Sequence, residues 1–359
     1  MLRDFIIRSR APLRLGFAGG GTDLSPYCDI YGGCVLNSTI DRYAYTTIEK
    51  NSDDLVTFYS QEKDFKINFG CKDDIEVSQD LIIHKAVYKY FINKFNNSKN
   101  IPLKMSTFCD APPGSGLGSS STLVVSMIHA FVELFSLSMD DYEISQLAYH
   151  LERNVCGFEG GKQDQYSATF GGFNFMEFGP DNSVNIIPLR VKNWIINELE
   201  ASTILYFTGI SRDSSKIVNE QSRNVSESTN AAIEALHEIK NEAINMKNNL
   251  LKGNFEGIKK SLKIGWEEKK KTAFSVSNSH IDKVHNAALD NGALAGRLSG
   301  AGGGGFMLFY VPAPYKIKVI ETLNQFGGYT TNCHFTEKGS QSWRIPLRNK
   351  NNNSLKYKI

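Results

Sequence analysis

The chain has 359 residues, of which 41% are hydrophobic and 22% charged, and its formal net charge is +2. This composition excludes a largely disordered chain, and the length exceeds what a single core usually sustains, so two domains are expected. The near-neutral balance gives no bulk attraction to nucleic acid or to an anionic membrane, so any anion site must be local.

In chain order, residues 5–17 read as an extended segment with Arg14 inside an apolar run, followed by the glycine-rich turn Ala18-Gly19-Gly20-Gly21-Thr22-Asp23. Strands are expected at Cys34–Lys50, Leu55–Tyr59 and Phe65–Phe69, and a helix at Leu81–Phe95, whose apolar positions 83, 87, 90 and 91 have helical spacing. A strand at Pro102–Asp110 leads into a Gly/Ser-rich loop. The apolar helix that follows has no Gly or Pro. Ser138 or Asp140 can cap the next helix, Tyr142–Asn154, which carries Glu152 at its C-terminal end. That is the end a helix dipole disfavours for a carboxylate, so Glu152 is either a metal ligand or the partner of a neighbour such as Arg153. A third glycine-bearing stretch, Gly157 to Tyr166, contains Lys162 and Asp164.

A strand at Gly171–Phe178 follows, and the texture changes over Pro188–Glu200. We therefore expect domains at 1–190 and 191–359. The second domain reads as a strand at Ala201–Gly209, one long polar helix from Ser211 to about Lys252, and helices at Phe255–Phe274 and Ile281–Asn291. Strand, glycine loop and strand follow over Gly292–Tyr310, then a helix at Tyr315–Phe326 and a strand at Tyr329–Phe335. No apolar run approaches the about 18 residues that span a bilayer, and the apolar part of the N-terminus is too short for a secretory signal. Cys28, Cys34, Cys71, Cys109, Cys156 and Cys333 form no CxxC pair and read as reduced thiols of a cytoplasmic protein. The seven histidines show no zinc-ligand spacing.

The stretch that organises the chain is Pro112-Pro113-Gly114-Ser115-Gly116-Leu117-Gly118-Ser119-Ser120-Ser121. A loop of small residues here runs into a helix N-terminus, where backbone N–H groups lack intrahelical partners and the dipole end is positive. Glycines admit a phosphate close to the backbone, and the serines add hydroxyls for phosphate or metal. The stretch reads as a polyphosphate cradle. It is not a Walker A loop: Gly161-Lys162 is followed by Gln163. It is not the Rossmann fingerprint either, because Ser119 stands where the last glycine would be, and no GxSxG occurs.

Three loops remain: Arg14 to Asp23, Pro112 to Ser121, and Leu298-Ser299-Gly300-Ala301-Gly302-Gly303-Gly304-Gly305. In residues, order and spacing this set resembles the GHMP kinases, the superfamily of galactokinase and of homoserine, mevalonate and phosphomevalonate kinases, over nearly the whole chain. The resemblance implies an α+β fold with a ribosomal-S5-like N-terminal domain and a ferredoxin-like C-terminal domain. The first loop has a Gly-Gly-Gly run where galactokinases and mevalonate kinases usually carry Gly-Glu-His, and it resembles the branch that acts on heptose phosphates. That implies transfer from ATP to the anomeric hydroxyl of D-glycero-D-manno-heptose 7-phosphate, giving the 1,7-bisphosphate used toward GDP-heptose for surface polysaccharide. L-fucose kinase-like enzymes share part of this loop and form the alternative.

The resemblance also implies residue roles. Asp164 would face the attacked hydroxyl as base or hydrogen-bond acceptor, with Arg14 beside it to stabilise transition-state charge. ATP would meet Pro113, Gly114, Ser115, Gly116, Leu117, Gly118, Ser119, Ser120 and Ser121, with Ser299, Gly300, Ala301, Gly302, Gly303 and Gly304 as the third loop. Mg²⁺ would be held by Ser120 and Glu152, although Ser119 or Ser121 could stand in for Ser120. The sugar would meet Gly20, Gly21, Thr22 and Asp23. Its distal phosphate needs a cation, and Arg212 is expected first, before Lys216 and Lys162. A non-catalytic sensor on the same fold would lack the acid or the metal ligand; all four of Asp164, Glu152, Ser120 and Arg14 are present. The sequence leaves the oligomeric state open.

Overall fold

The protein is described here from a computed structural model, covering residues 5–181, 183–211, 214–227 and 229–347. The first half is built on strands β1 (Phe5–Ala18), β2 (Gly33–Lys50), β3 (Leu55–Ser60), β4 (Phe65–Gly70), β5 (Leu103–Cys109), β6 (Phe173–Phe178) and β7 (Val184–Pro188). Its helices are α1 (Tyr27–Tyr31), α2 (Ile82–Phe95), α3 (Ser119–Phe135), α4 (Asp141–Tyr149) and α5 (Gln163–Phe170). The second half contains α6 (Asn193–Ser202), β8 (Thr203–Phe207), α7 (Ser214–Ser226), α8 (Asn230–Lys252), α9 (Phe255–Thr272), α10 (Ser279–Asp290), β9 (Ala295–Leu298), β10 (Phe306–Tyr310), α11 (Lys316–Asn324), β11 (Tyr329–Thr331) and β12 (Gln341–Pro346).

Two sheets result. The larger runs β12-β1-β2-β5-β3-β4, with β6 and β7 continuing from the first part of β2; the smaller runs β11-β8-β10-β9. One face of the large sheet packs Val56, Phe58, Leu103 and Met105 against Phe91 of α2 and Val124, Ile128 and Phe131 of α3. Another core joins the two halves, with Leu13, Leu15, Leu36 and Phe175 meeting Leu205, Phe306, Leu308 and Met246. β1 feeds both cores: Ile7 and Ala11 join the first, Leu13, Leu15 and Phe17 the second. Its register against β2 shifts between Pro12 and Arg14. At that irregularity Arg14 turns toward the loop that precedes α3 and toward α5.

Two expectations change. The C-terminal strand β12 pairs antiparallel with β1 from Phe5↔Pro346 to Arg10↔Gln341, so the last described segment belongs with the first sheet and not with a unit running 191–359. The long polar helix is two helices, α7 and α8, and their buried faces are separate: Ile217, Val218, Gln221 and Val225 on one, Ala232, Leu236, Ile239, Ala243 and Met246 on the other. Asp140 makes the expected N-cap of α4, as a full capping box with Glu143. All six cysteines are unpaired. Among the described residues no helix is long and apolar enough to cross a membrane.

Candidate active site

A cavity of about 320 Å³ lies where the three loops converge. Gly114, Gly116 and Gly118 line it, and all three have positive φ, between 70° and 80°. The residues between them turn inward: Ser115 and Leu117 are fully buried. Pro113 does not line the cavity; its carbonyl accepts the Ser211 hydroxyl. From Gly114 to Gly118 the second loop therefore has glycine backbone at the cavity wall, with Ser119, Ser120 and Ser121 following it there. α3 begins at Ser119 after the left-handed Gly118 cap, and no side chain caps it. Its first N–H groups are therefore not taken up by a capping side chain.

The third loop closes against the second. Phe306 N–H donates to Ser115 O at 2.8 Å, and the Ser299 hydroxyl donates to Gly116 O at 2.9 Å. A Cβ on Gly116 would lie 2.4 Å from Ser299 O, and one on Gly305 2.3 Å from Ser115 O. Close loop–loop packing is thus what these two glycines serve. Gly300, Ala301, Gly302 and Gly304 line the cavity; Ser299 is buried and Gly303 bonds Val276 O, so both support the loop.

Arg14 ties the assembly together. Its Nε and Nη2 donate to Asp164 Oδ1 and Oδ2 at 2.7 and 3.0 Å, and its Nη1 to Gly116 O at 2.5 Å. Asp164 stands in the first turn of α5, where the dipole favours a carboxylate, and lines the cavity. Gly118 packs flat on this pair: a Cβ there would be 3.2 Å from the Asp164 carboxylate and 3.5 Å from Arg14 Cγ. The Arg14–Asp164 pair thus abuts the start of α3.

Glu152 is buried in a π-helical turn, His150–Val155, that continues α4. Such turns re-aim side chains and recur at functional sites. Its Oε2 accepts from the Ser121 hydroxyl at 2.6 Å and from Gln165 Nε2 at 2.7 Å; its Oε1 lies 3.3 Å from Arg153 Nη1. Glu152 thus lines the cavity and pairs with Arg153 at the same time. The hydroxyl joined to it is that of Ser121, while Ser120 is an exposed residue of the cavity wall. Among the described residues no group of three or more His, Cys, Asp or Glu could hold a metal.

Asp23 is buried at the cavity edge, where Gly21 N–H, Gln163 N–H and Gln163 Nε2 all donate to it at 3.2 Å. Gly20 and Gly21 line the wall beside it. Thr22 does not: its hydroxyl bonds Gly19 O and Cys34 O, which makes it a brace of the turn and not a ligand contact. Lys162 also points elsewhere, lying 3.6 Å from Asp29, and Lys216 is exposed and outside the cavity lining. Arg212 lies outside the described residues.

Two cations in the wall were not anticipated. Lys269 of α9 and Arg297 of β9 are each 3% exposed. Burial, with Arg297 and Arg14 adding, pushes the Lys269 ammonium down to about 7. Burial, with Arg14 adding, pushes Arg297 down to about 10. A sequence signal for Lys269 did exist. It falls on the same α9 stripe as Ile258, Leu262, Gly265 and Trp266, whereas Lys270 and Lys271 fall off it.

Family models match two regions, GHMP kinases N terminal domain over residues 82–172 and GHMP kinases C terminal over residues 246–328. A curated protein of Campylobacter jejuni, named D-glycero-alpha-D-manno-heptose 7-phosphate kinase, is 44% identical, over 94% of this chain and 99% of its own. The chain is a GHMP kinase. As such it is an ATP-dependent phosphotransferase with a hydroxyl acceptor. A crystal structure titled as a D-glycero-D-manno-heptose 1-phosphate kinase from Bacteroides thetaiotaomicron superposes with a TM-score of 0.79 at 41% identity, covering 94% of this GHMP kinase and 99% of that chain. L-fucokinase/L-fucose-1-P guanylyltransferase of Bacteroides fragilis is 24% identical over 89% of this chain but 36% of its own length.

Proposed function

We propose that this GHMP kinase transfers the γ-phosphoryl group of ATP to the anomeric hydroxyl of D-glycero-D-manno-heptose 7-phosphate. The observation that carries the chemistry is the Arg14–Asp164 pair packed against Gly118 at the start of α3. A triphosphate whose γ-group meets the free N–H groups of Ser119 to Ser121 would lie within reach of a hydroxyl held by Asp164. Phosphoryl transfer needs little beyond such positioning and charge stabilisation. With both its oxygens held by Arg14, Asp164 would accept the hydroxyl hydrogen bond in a fixed direction, and Arg14 would offset charge growing on the transferred group. Gly20, Gly21 and Asp23 would hold the sugar.

The donor set suits Mg²⁺, which takes oxygen ligands and keeps several waters. Glu152 would be one ligand and Ser120 the other, with Ser121 and Gln165 orienting Glu152 by hydrogen bonds. The ion, when bound, supplies charge neutralisation to the β- and γ-phosphates.

The heptose reading is supported by near full-length identity to the Campylobacter jejuni protein. The Bacteroides thetaiotaomicron structure is titled for a 1-phosphate. Those two names put the phosphate already on the sugar at opposite ends, and either acceptor would give the same bisphosphate. The test is ADP release from Mg²⁺-ATP with the heptose 7-phosphate, the heptose 1-phosphate, sedoheptulose 7-phosphate, mannose, L-fucose and galactose. Turnover on the 7-phosphate well above the rest is expected. Faster turnover on L-fucose would put the fucokinase reading in its place.

A further inference from the structure

Lys269 and Arg297 are cations that the reaction as described does not use. Arg14 is matched by Asp164 and Arg153 by Glu152. Lys269 Nζ donates to the carbonyl of Gly300 at 2.5 Å, and among the described residues no carboxylate lies within ion-pair distance of it. Arg297 Nη1 donates to Phe17 O at 2.8 Å, and its buried Nε has no partner among the described residues. Two buried cations that, among the described residues, are held only by carbonyl oxygens are costly to keep unless an anion completes them. Burial, with Arg297 and Arg14 adding, depresses the basicity of Lys269.

Their position says which anion. A Cβ on Gly20 would sit 3.6 Å from Lys269 Nζ and 3.8 Å from the Gln163 amide that holds Asp23. Lys269 thus overhangs the first loop on the side of Asp23, and Arg297 is bonded to Phe17 at the end of the strand that enters that loop. In the function proposed above the first loop holds the sugar, and the nucleotide phosphates take the N-terminus of α3 and the backbone of the second loop.

We propose that Lys269 and Arg297 form the clamp for the phosphate that the acceptor sugar already carries. The inference rests on the sugar-phosphate reading given above. Arg offers a planar fork and Lys a point charge, and together they match the double negative charge of a phosphate monoester.

The experiment is steady-state kinetics of the wild type, Lys269→Met and Arg297→Met with heptose 7-phosphate and with the same heptose lacking the phosphate, each at varied ATP. In each variant KM for the phosphorylated sugar rises about 30-fold or more, as truncating one partner of a buried charge contact does. The wild-type preference for phosphorylated over unphosphorylated heptose, taken as a ratio of kcat/KM, falls by the same factor. Lys269→Arg restores part of that ratio. A fall in kcat equal on both sugars, or a rise confined to the KM for ATP, overturns the clamp and assigns the cations to the nucleotide. An unchanged ratio overturns it as well. If the wild type itself has no preference for the phosphorylated heptose, the substrate reading fails at that step, before any variant is compared. Thermal melts of the variants report folding; should either methionine variant fail to fold, Arg297→Lys, which keeps the charge and loses the fork, must still lower the ratio.

Discussion

Arg14 and Asp164 lie 150 residues apart and meet in a two-point ion pair, with Nε–Oδ1 at 2.7 Å and Nη2–Oδ2 at 3.0 Å. Arg14 is buried and its third nitrogen donates to Gly116 O, so the same side chain sets the Asp164 carboxylate and the second loop relative to each other. Asp164→Asn keeps one acceptor for Arg14 but loses the charge. Its turnover is expected to fall by about 100-fold or more, the range of positioned acid–base groups. Asp164→Ala leaves the Arg14 guanidinium without its carboxylate and should also lower stability by about 3 kcal/mol in a urea titration. Full turnover in both variants would remove Asp164 from the mechanism.

Two glycines separate the acceptor site from the transfer step. A Cβ on Gly161 would fall 1.9 Å from Asp23 Oδ2, so Gly161→Ala must displace that carboxylate. KM for the sugar should rise more than about tenfold, which corresponds to the loss of one good hydrogen bond, with KM for ATP held. Gly118 has φ of +78°, and its Cβ would press on Asp164 instead. Gly118→Ala should lower kcat and leave the sugar KM nearly unchanged. The reverse pattern in initial-rate kinetics would show that Asp23 and Asp164 have been given each other's roles.

Much of this site was legible because glycine loops and their serines are local chemistry. Gly114, Gly116 and Gly118 to Ser121 in the second loop, and Gly20, Gly21 and Asp23 in the first, line the cavity from patterns a few residues long, while Asp164 is singled out by the family resemblance. Missing pieces are non-local or hidden in composition. β12 carries no local sign that it will return to β1 across more than 300 residues of sequence. Lys269 sits in the run Lys269-Lys270-Lys271, which reads as a solvated helix face unless the α9 stripe is phased first. Arg297 stands in a short strand that is buried throughout, where an apolar residue is the ordinary occupant. Thr22 shows the opposite error, a polar residue beside a binding loop whose hydroxyl closes the turn.

The serine run makes distinct predictions for each hydroxyl. Ser121 is buried against Glu152 and Gln165, so Ser121→Ala should cost about 1 kcal/mol of stability and loosen Glu152. Ser120 is exposed, so Ser120→Ala should leave the melting temperature alone. Both, and Glu152→Gln more strongly, should raise the Mg²⁺ concentration that gives half-maximal rate. Binding of Mn²⁺ to the ATP complex, read by electron paramagnetic resonance, should weaken in the same order. Unaltered metal dependence in all three variants would move the ion away from Glu152.

Lys269 predicts a pH dependence with a definite sign. Facing it are Arg297 and Arg14, which push its proton off, and Asp23 and Asp164, which hold it on; burial outweighs them all and brings it to about 7 in the free enzyme. Above pH 7 a growing fraction is neutral, so KM for the sugar phosphate should rise with pH, toward tenfold per unit, until the substrate can no longer compensate. Below about pH 6 the sugar's phosphate loses its second charge, so affinity should weaken there too. The alkaline limb should vanish in Lys269→Met. Stability follows the same proton. Between pH 7 and the ordinary lysine value of 10.5 the unfolded chain binds it and the folded chain does not, so native stability relative to Lys269→Met should rise across that window and be flat below it. Parallel urea titrations of the two proteins at pH 6, 8 and 9.5 measure that difference. A difference that stays constant from pH 6 to 9.5 would mean that Lys269 keeps its charge in the fold, and the alkaline rise in KM would then have to come from another group.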